Sequence, residues 1–264
     1  MTPISGKTKL FATLGHPVTH VLTPQKLNTL FAKRHYDGVM VPVGIAPGQD
    51  LATFAASIRV MQNFGGAVVT VPHKTAIVSL CDRLSHRAEA AGAVNVLRRE
   101  ADSSLTGDLL DGVGFVNGLK NAGEVIKDRR IFLAGAGGAA LAIAFALAEA
   151  DAAHITITNR SQDKLDDLTT RLKKSFPDLS ISQNGNPDKH DIVINATSLG
   201  LRENDPLPVD PAHLHPPMLV AEVVMVPEQT PLLKAASQAG CRTHSGRHML
   251  AGQLSAIFDF LTAE

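Results

Sequence analysis

The sequence predicts an α/β protein of two domains. Short β-type runs alternate with helical periodicity in both halves of the chain, which is typical of βαβ units. Near the middle, an apolar run from residue 130 passes through a glycine turn into an alanine-rich stretch that extends to residue 148. With 264 residues, 44% of them apolar, the chain is long enough for two separate hydrophobic cores.

The elements follow in order along the chain. In the first hundred residues, strands are predicted at 9–14, 38–43 and 66–71, with helices at 24–34 and 50–62. After the glycine turn, strands are predicted at 155–158, 191–196 and 219–226, with a helix at 162–174 and an amphipathic helix at 249–260. This second set has the spacing of a Rossmann-type, doubly wound parallel sheet. Periodicity does not decide which domain the last helix joins.

The glycine turn has the features of a dinucleotide-binding loop. Gly135 allows a tight turn, Gly137 lets the backbone approach a pyrophosphate, and Ala140 lets the helix pack closely on its strand. The helix N-terminus adds free N–H groups and the positive end of its dipole. The alternative is an ordinary strand-to-helix turn. We assign cofactor binding to Gly135, Ala136, Gly137, Gly138 and Ala139.

Composition excludes several classes of partner. Lys plus Arg and Asp plus Glu both number 25, so no basic surplus is available for nucleic acid or an anionic membrane. Residues 131–148 carry no charge, but their glycines and the short helix argue against a membrane span. The start lacks a secretory signal pattern, so a cytoplasmic protein is expected. The expected partner is a small molecule, and the sequence leaves monomer and homodimer open.

The residues after the second predicted Rossmann strand bear on the choice of cofactor. An acid at this place would hold the ribose 2′-hydroxyl of NAD, but the sequence has Asn159, Arg160 and Ser161. The planar guanidinium of Arg160 can pair with a 2′-phosphate, which favours NADP. A solvated loop arginine is the alternative, and nearby Asp163 keeps NAD open.

Two ionisable residues follow apolar runs and are candidates for proton transfer. A dehydrogenase must remove a hydroxyl proton as hydride leaves the same carbon, and Lys74 can serve as the base if desolvation lowers its pKa. A carboxylate such as Asp111 would orient the ammonium and share its proton. Spacing does not show that these two side chains meet, and surface positions are the alternative.

Two other features are interpreted without a catalytic role. Asp108 is interpreted as solvated, and Pro17 between His16 and His20 argues against a metal site.

Eight ordered segments together resemble the shikimate dehydrogenase family, nearly from end to end. Each segment matches a family motif in the order in which the family has them. They lie at residues 20–28, 68–74, 92–96, 107–115, 135–140, 159–161, 230–233 and 246–253.

The resemblance implies a fold and a site. It implies two α/β domains around a cleft, with the last helix returning to the first domain, so we place the substrate domain at 1–106 plus 244–264 and the Rossmann domain at 107–243. It implies reversible hydride transfer between NADP, or NAD, and a ring hydroxyl of a cyclic carboxylate. Lys74 and Asp111 then become the catalytic pair, and Thr70, Asn95 and Gln253 bind ring hydroxyls. Thr197 and Gly246 are also assigned to the cofactor.

The sequence departs from the family at the end of the site that holds the substrate carboxylate. Two family serines are replaced by Val21 and Thr23, and a family tyrosine is replaced by Met225. Thr23 still offers a hydroxyl, but Val21 and Met225 do not, and losing a hydroxyl partner typically costs about 1 to 3 kcal/mol. We therefore hypothesise that a ring diol is bound while the acid end is recognised differently or carries another substituent.

Three functions remain open at this point. The favoured one is a shikimate- or quinate-type dehydrogenase. The second is a nucleotide-binding sensor or regulatory protein whose substrate site has decayed, and loss of the lysine or the aspartate would be its expected mark. The third, another two-domain dehydrogenase with a lysine base, leaves the matches at Asn95 and Gln253 unexplained.

Overall fold

The computed structural model describes residues 3–19, 21–48, 51–202 and 204–263. The chain divides into two compact units, the first formed by Met1–Leu110 with Leu254–Glu264 and the second by Asp111–Gln253. The predicted division lay at 106 and 244. The second boundary differs because residues 247–253 pack, together with residues 111–121, inside the second unit.

The first unit is built on a six-stranded sheet. Its strands are β1 (Lys9–Gly15), β2 (Gly38–Gly44), β3 (Phe64–Val69), β4 (Arg83–Leu84), β5 (Val96–Arg99) and β6 (Leu105–Asp108), in the spatial order β2-β1-β3-β5-β6-β4. Its helices are α1 (Thr23–Lys33), α2 (Leu51–Val60) and α3 (His86–Ala91), with a 3-10 turn at Ala76–Leu80. The predicted start of the second helix, Asp50, lies outside the described residues.

The sheet of the first unit is mixed. Strand β1 pairs in parallel with both β2 and β3, as the alternation of strands and helices predicts. Strands β5 and β6 form an antiparallel hairpin, and β5 is antiparallel to β3. The sequence did not reveal this hairpin because β5 ends in Arg98 and Arg99, which hide its apolar pattern. Strand β3 also starts and ends two residues earlier than predicted, so Thr70 and Val71 belong to the following turn.

The second unit is a doubly wound parallel sheet, as predicted. Its strands are β7 (Arg130–Ala134), β8 (His154–Thr158), β9 (Ser180–Gln183), β10 (Ile192–Asn195), β11 (Leu219–Glu222) and β12 (Arg242–His244), in the order β12-β11-β10-β7-β8-β9. Its helices are α4 (Asp111–Asn121), α5 (Gly138–Glu149), α6 (Gln162–Ser175) and α7 (Pro231–Gln238), with the first part of α8 (Arg247–Thr262) and a 3-10 turn at Pro211–His213. All its strand pairs are parallel.

The order of this sheet positions a ligand. The chain winds outward in one direction through β8 and β9 and in the other through β10, β11 and β12, so the order reverses at β7. Ligands of such sheets bind beyond the carboxyl ends of the strands at this switch point. Strands β7 and β10 are almost wholly buried, and α5 is apolar on all sides because it is enclosed by the rest of the unit.

Helix α4 was not predicted, because glycines at 112, 114 and 118 disfavour a helix by propensity. The structure gives the reason for them. A Cβ on Gly112 would lie 1.9 Å from the Ala142 carbonyl oxygen of α5. A Cβ on Gly114 would lie 2.6 Å from Cβ of Gln253 in α8. The glycines therefore allow two neighbouring helices to approach the α4 backbone.

Two predicted elements have different ends. Strand β11 stops at Glu222, whereas the prediction extended it to 226, because the apolar run continues past the end of the strand. Helix α8 starts at Arg247, two residues before the predicted start.

Within the first unit, Phe258 of α8 packs against Phe31 and Tyr36, with ring centroids 5.7 Å apart in both pairs.

Candidate active site

A cavity of about 480 Å³ opens at the carboxyl ends of β7, β8 and β10. It lies where the switch point of the sheet predicts a ligand. The cavity brings together seven of the ten residues that the sequence assigned to the cofactor. It is lined by Ala134, Gly135, Ala136, Gly137, Thr158, Asn159, Arg160, Ser161, Lys164, Ala196, Thr197, Ser198, Leu199, Leu207 and Pro208.

The glycine turn fits a pyrophosphate group. Gly135 has φ +119°, and a Cβ there would lie 2.9 Å from the Ala196 carbonyl oxygen, so this position requires glycine. Gly137 is the N-cap of α5, and a Cβ on Gly137 or Gly138 would meet no atom within 4 Å. The N-terminus of α5 therefore faces open space in which phosphate oxygens can accept its free N–H groups.

The turn after β8 supplies positive charge. The side chain of Asn159 donates to the Ser161 carbonyl oxygen at 2.9 Å and fixes the turn that carries the exposed Arg160. Lys164, in the first turn of α6, lines the same cavity. Sequence reasoning missed Lys164, although a cation in the first turn of a helix, where the dipole disfavours it, is a usable signal of an anionic ligand. Among the described residues that line this cavity, none is acidic.

Asp111 and Gln253 meet in the second unit. Asp111 is the first residue of α4 and is half-buried. Gln253 is 8% exposed, and its Nε2 donates to Oδ1 of Asp111 at 2.9 Å. The sequence assigned one to catalysis and the other to substrate binding, and the structure joins them in one hydrogen bond. The contact places a hydrogen-bonding amide beside the candidate catalytic carboxylate.

Lys74 and Asn95 lie in neighbouring segments of the first unit. The backbone N–H of Val94 donates to the Lys74 carbonyl oxygen at 2.8 Å. Asn95 is buried, and its Oδ1 accepts from the Leu110 N–H at 2.7 Å, which fixes the amide. Thr70 lies in the same turn as Lys74, and both side chains are half-buried. Because Lys74 and Asp111 belong to different units, their convergence stays a prediction.

The residues at the predicted carboxylate end lie on surfaces. Thr23, the first residue of α1, and Val21 are both half-buried, whereas Met225 is 46% exposed. His20, which begins the first family motif, lies outside the described residues.

A Cβ on Gly246 would lie 2.5 Å from the Val223 and Val224 carbonyl oxygens. Close chain packing therefore explains this glycine, and its role in cofactor binding stays a prediction.

The interpretation of Asp108 as solvated is wrong. Asp108 is 4% exposed, and its carboxylate accepts from Arg87 Nε at 2.8 Å and from Arg87 Nη2 at 2.7 Å. It also accepts from the Ser85 hydroxyl. Strand β6 carries this side chain into the interior, where an ionised carboxylate requires a paired guanidinium. Asp108 therefore has a structural role.

The described residues contain neither a cluster of metal ligands nor a helix suited to a membrane. In those ranges, no group of three or more His, Cys, Asp or Glu side chains is arranged to hold a metal ion. Every helix there is too short or too polar to span a bilayer.

Comparison with known proteins agrees with the architecture of the chain. A family model described as the shikimate dehydrogenase substrate binding domain matches residues 13–97, and one described as shikimate / quinate 5-dehydrogenase matches residues 119–201. A curated relative from Geobacter metallireducens, named shikimate dehydrogenase (NADP(+)), is 36% identical over 95% of this chain and 90% of its own length.

Solved structures are similar over the whole fold. Shikimate 5-dehydrogenase from Listeria monocytogenes, crystallised with shikimate and NAD, has a TM-score of 0.91 and 30% identity, covering 100% of this chain and 95% of that one. The ligand-free form of 5-ketofructose reductase from Gluconobacter has a TM-score of 0.89 and 29% identity, covering 98% of this chain and 95% of that one.

Proposed function

Because the chain belongs to the shikimate dehydrogenase family, we propose that it is an NAD(P)-dependent dehydrogenase that reversibly oxidises a ring hydroxyl of shikimate or a related cyclic polyol. The observation that carries the proposal is the cavity at the switch point of the second sheet, which joins the glycine turn, the N-terminus of α5 and two cations. A cytoplasmic location, and action as a monomer or homodimer, belong to the same proposal.

The proton chemistry falls to Lys74 and Asp111. A nicotinamide dinucleotide held by the glycine turn and the N-terminus of α5 would supply the hydride acceptor for oxidation of the carbinol carbon and the hydride donor for reduction. In oxidation, Lys74 accepts the hydroxyl proton as the general base, because the oxygen becomes a carbonyl as the C–H bond breaks. Asp111 stabilises the resulting ammonium, and Gln253 holds Asp111 through its 2.9 Å hydrogen bond. In reduction the same ammonium returns the proton to the carbonyl oxygen.

NADP is the proposed cofactor, with NAD as the alternative. Arg160 and Lys164 line the cavity at the place where a 2′-phosphate would lie if the adenosine ribose follows β8. A guanidinium and an ammonium favour the extra phosphate of NADP, whereas a carboxylate in this position would favour the 2′-hydroxyl of NAD.

A second candidate substrate is a polyol or ketose without a carboxylate. The observation that favours it is the apolar character of Val21 and Met225, which offer no hydroxyl to an acid. The structural relative named 5-ketofructose reductase carries, by its name, an activity on a sugar derivative. In this alternative the residues that act on the hydroxyl, Lys74 and Asp111, keep their roles, and only the far end of the substrate differs.

One set of assays separates these functions. Absorbance of the reduced nicotinamide is followed with shikimate, quinate and 5-ketofructose, each offered with NADP and with NAD in the appropriate direction. Preferred turnover of a ring acid supports the first substrate, and preferred turnover of the ketose supports the second. Binding of a reduced dinucleotide, detected by fluorescence, without turnover of any member of a wider polyol panel would favour the sensor and contradict the dehydrogenase.

A further inference from the structure

Glu222 ends strand β11 with a side chain that is completely buried. Its Oε2 accepts from the Thr230 hydroxyl at 3.0 Å and from Nδ2 of Asn195 at 3.5 Å. Its Oε1 is buried and has no hydrogen-bond partner in the described part of the chain. A carboxyl group in this setting has neither the cation nor the full set of donors that an ionised form requires.

Asn195 connects Glu222 to the cofactor cavity. Its Oδ1 accepts from the backbone N–H of Thr197 at 3.0 Å and from the Thr197 hydroxyl at 2.7 Å. Its Nδ2 donates to the Leu199 carbonyl oxygen at 3.0 Å. The Thr197 hydroxyl in turn accepts from the Leu199 N–H at 3.0 Å. One amide thus determines the shape of the turn at residues 197–199, which lines the cavity.

We propose that Glu222 is a positioning residue for the dinucleotide: its uncharged carboxyl group holds Asn195, and through Asn195 the turn at residues 197–199, in the form that binds the cofactor. When the carboxyl group ionises, a buried negative charge lies behind the edge that receives the phosphates, and cofactor affinity falls. The inference rests on the proposed function and deepens it, since it makes dinucleotide binding depend on protonation of this chain.

The electrostatic surroundings of Glu222 agree with this role. Burial raises the pKa of Glu222 to about 7, against the hydrogen bonds from Thr230 and Asn195, which lower it. Among the described residues, the elements packed against β11 carry three titratable or charged side chains, His244 and Arg242 on β12 and Lys234 on α7. Asp205, in the loop that follows β10, accepts from the Gly200 N–H at 3.0 Å. Burial lowers the pKa of His244 to about 4, so this imidazole is neutral near pH 7.

The test compares the wild type with Glu222→Gln, which keeps the shape and remains uncharged at every pH. The dissociation constant of NADPH is measured by its fluorescence at several pH values between about 6 and 8.5. The ratio of the wild-type constant to the variant constant cancels the titration of the cofactor's own phosphates. We expect this ratio to rise about three- to tenfold across that range, as one added charge near the phosphates would cause.

Two controls are matched to Glu222. Glu124→Gln removes a mostly buried carboxylate of the same unit that pairs with Arg242. Asp205→Asn removes a carboxylate that accepts from the N–H of Gly200, the residue after this turn. When either control takes the place of Glu222→Gln, the ratio of the wild-type constant to the variant constant should stay the same at every pH. In the protein without cofactor, the melting temperature of Glu222→Gln should rise relative to the wild type as pH increases from about 4.5 to about 7, and then level off. Over that window the unfolded wild-type chain has released the Glu222 proton that the folded protein keeps.

The outcomes distinguish the inference from the proposed function. A constant ratio in a folded Glu222→Gln variant would overturn the inference while leaving the dehydrogenase intact. If Asp205→Asn, measured against the wild type, gave the same pH-dependent ratio as Glu222→Gln, the inference would also be overturned, in favour of Asp205. Failure of the wild type to bind any nicotinamide dinucleotide would overturn both.

Discussion

The side-chain amide of Gln253 donates to the carboxylate of Asp111 at 2.9 Å, and the two residues are 142 positions apart in the sequence. Asp111 begins α4 and Gln253 lies on α8, and glycines on α4 allow these helices to approach closely. The candidate catalytic carboxylate is therefore oriented by a side chain that the sequence assigned to substrate binding. The contact suggests that Gln253 acts on the reaction through Asp111 as well as through substrate.

Gln253→Ala should lower kcat/KM by about ten- to a hundredfold, because a hydrogen bond to a charged group is typically worth about 1.5 to 3 kcal/mol. Steady-state kinetics of the preferred substrate provide the measurement. Asn117→Ala is the matched control, since Asn117 donates to the Gly252 carbonyl oxygen on the same helix pair. Equal losses in the two variants would indicate a helix-packing effect and contradict the orienting role.

Lys74→Ala should lower kcat by about 10²- to 10⁴-fold, because general acid–base catalysis typically contributes that factor. The dissociation constant of the cofactor should stay unchanged, since Lys74 lies outside the cavity that we assign to the dinucleotide. Lys120→Ala, on the exposed end of α4, is the control. Normal turnover in Lys74→Ala would show that another group transfers the proton.

Arg160→Ala and Lys164→Ala should each weaken NADP binding by about tenfold or more, because each removes a charge-assisted contact to the 2′-phosphate. Binding of NAD, which lacks this phosphate, should change little. Titration with both cofactors measures the ratio. Arg171→Ala removes an exposed cation of α6 that pairs with Asp167 and lies outside the cavity lining, so it should leave the ratio unchanged. An equal loss for NAD and NADP would refute the 2′-phosphate assignment.

The second unit should lose stability in acid through two histidines. His154 and His190 share a network in which both imidazoles contact the Thr156 hydroxyl, at 3.0 and 2.7 Å. Burial, with a smaller contribution from Arg130, lowers the pKa of both imidazoles below the ordinary 6.5. The unfolded chain therefore takes up these protons first, and stability is lost as pH falls below about 6.5.

The double variant His154→Gln, His190→Gln should lose less stability than the wild type between about pH 7 and pH 5. Urea unfolding midpoints at each pH measure this difference. The opposite contribution of Glu222, whose raised pKa makes the fold more stable in acid, is common to both proteins and cancels. Parallel pH profiles for the two proteins would contradict this account.

The local parts of the fold were predictable from sequence. The Rossmann half and the family are confirmed, because apolar strands, a glycine turn and helical periodicity are all encoded within short segments. Helix α4 was missed because its glycines disfavour a helix locally. They are explained by the close approach of α5 and α8, which is a long-range contact that local propensity does not contain. The β5–β6 hairpin was missed because Arg98 folds back onto Glu100 at 2.9 Å, which lets a charged residue occupy a half-buried strand.

The site was predictable only in part. Seven of the residues that the sequence assigned to the cofactor come together because they follow three neighbouring parallel strands, and this edge is implied by the topology. Asn195 and Glu222 were not identified, although each is a polar residue at the end of an apolar run, which is a usable signal. Their role depends on a hydrogen bond between adjacent strands and on the N-cap Thr230, and neither contact has a local pattern.

In the sequence, the second compact unit lies between the two segments that form the first. During translation the ribosome releases residues 111–253 before the segment that places Phe258 against Phe31 and pairs Asp259 with Arg34 at 2.6 Å. Part of the apolar surface of the first unit therefore stays exposed until that segment is synthesised. The strands of the Rossmann sheet can pair before then. The core of the first unit is therefore completed by the last residues to be synthesised, those at the end of α8.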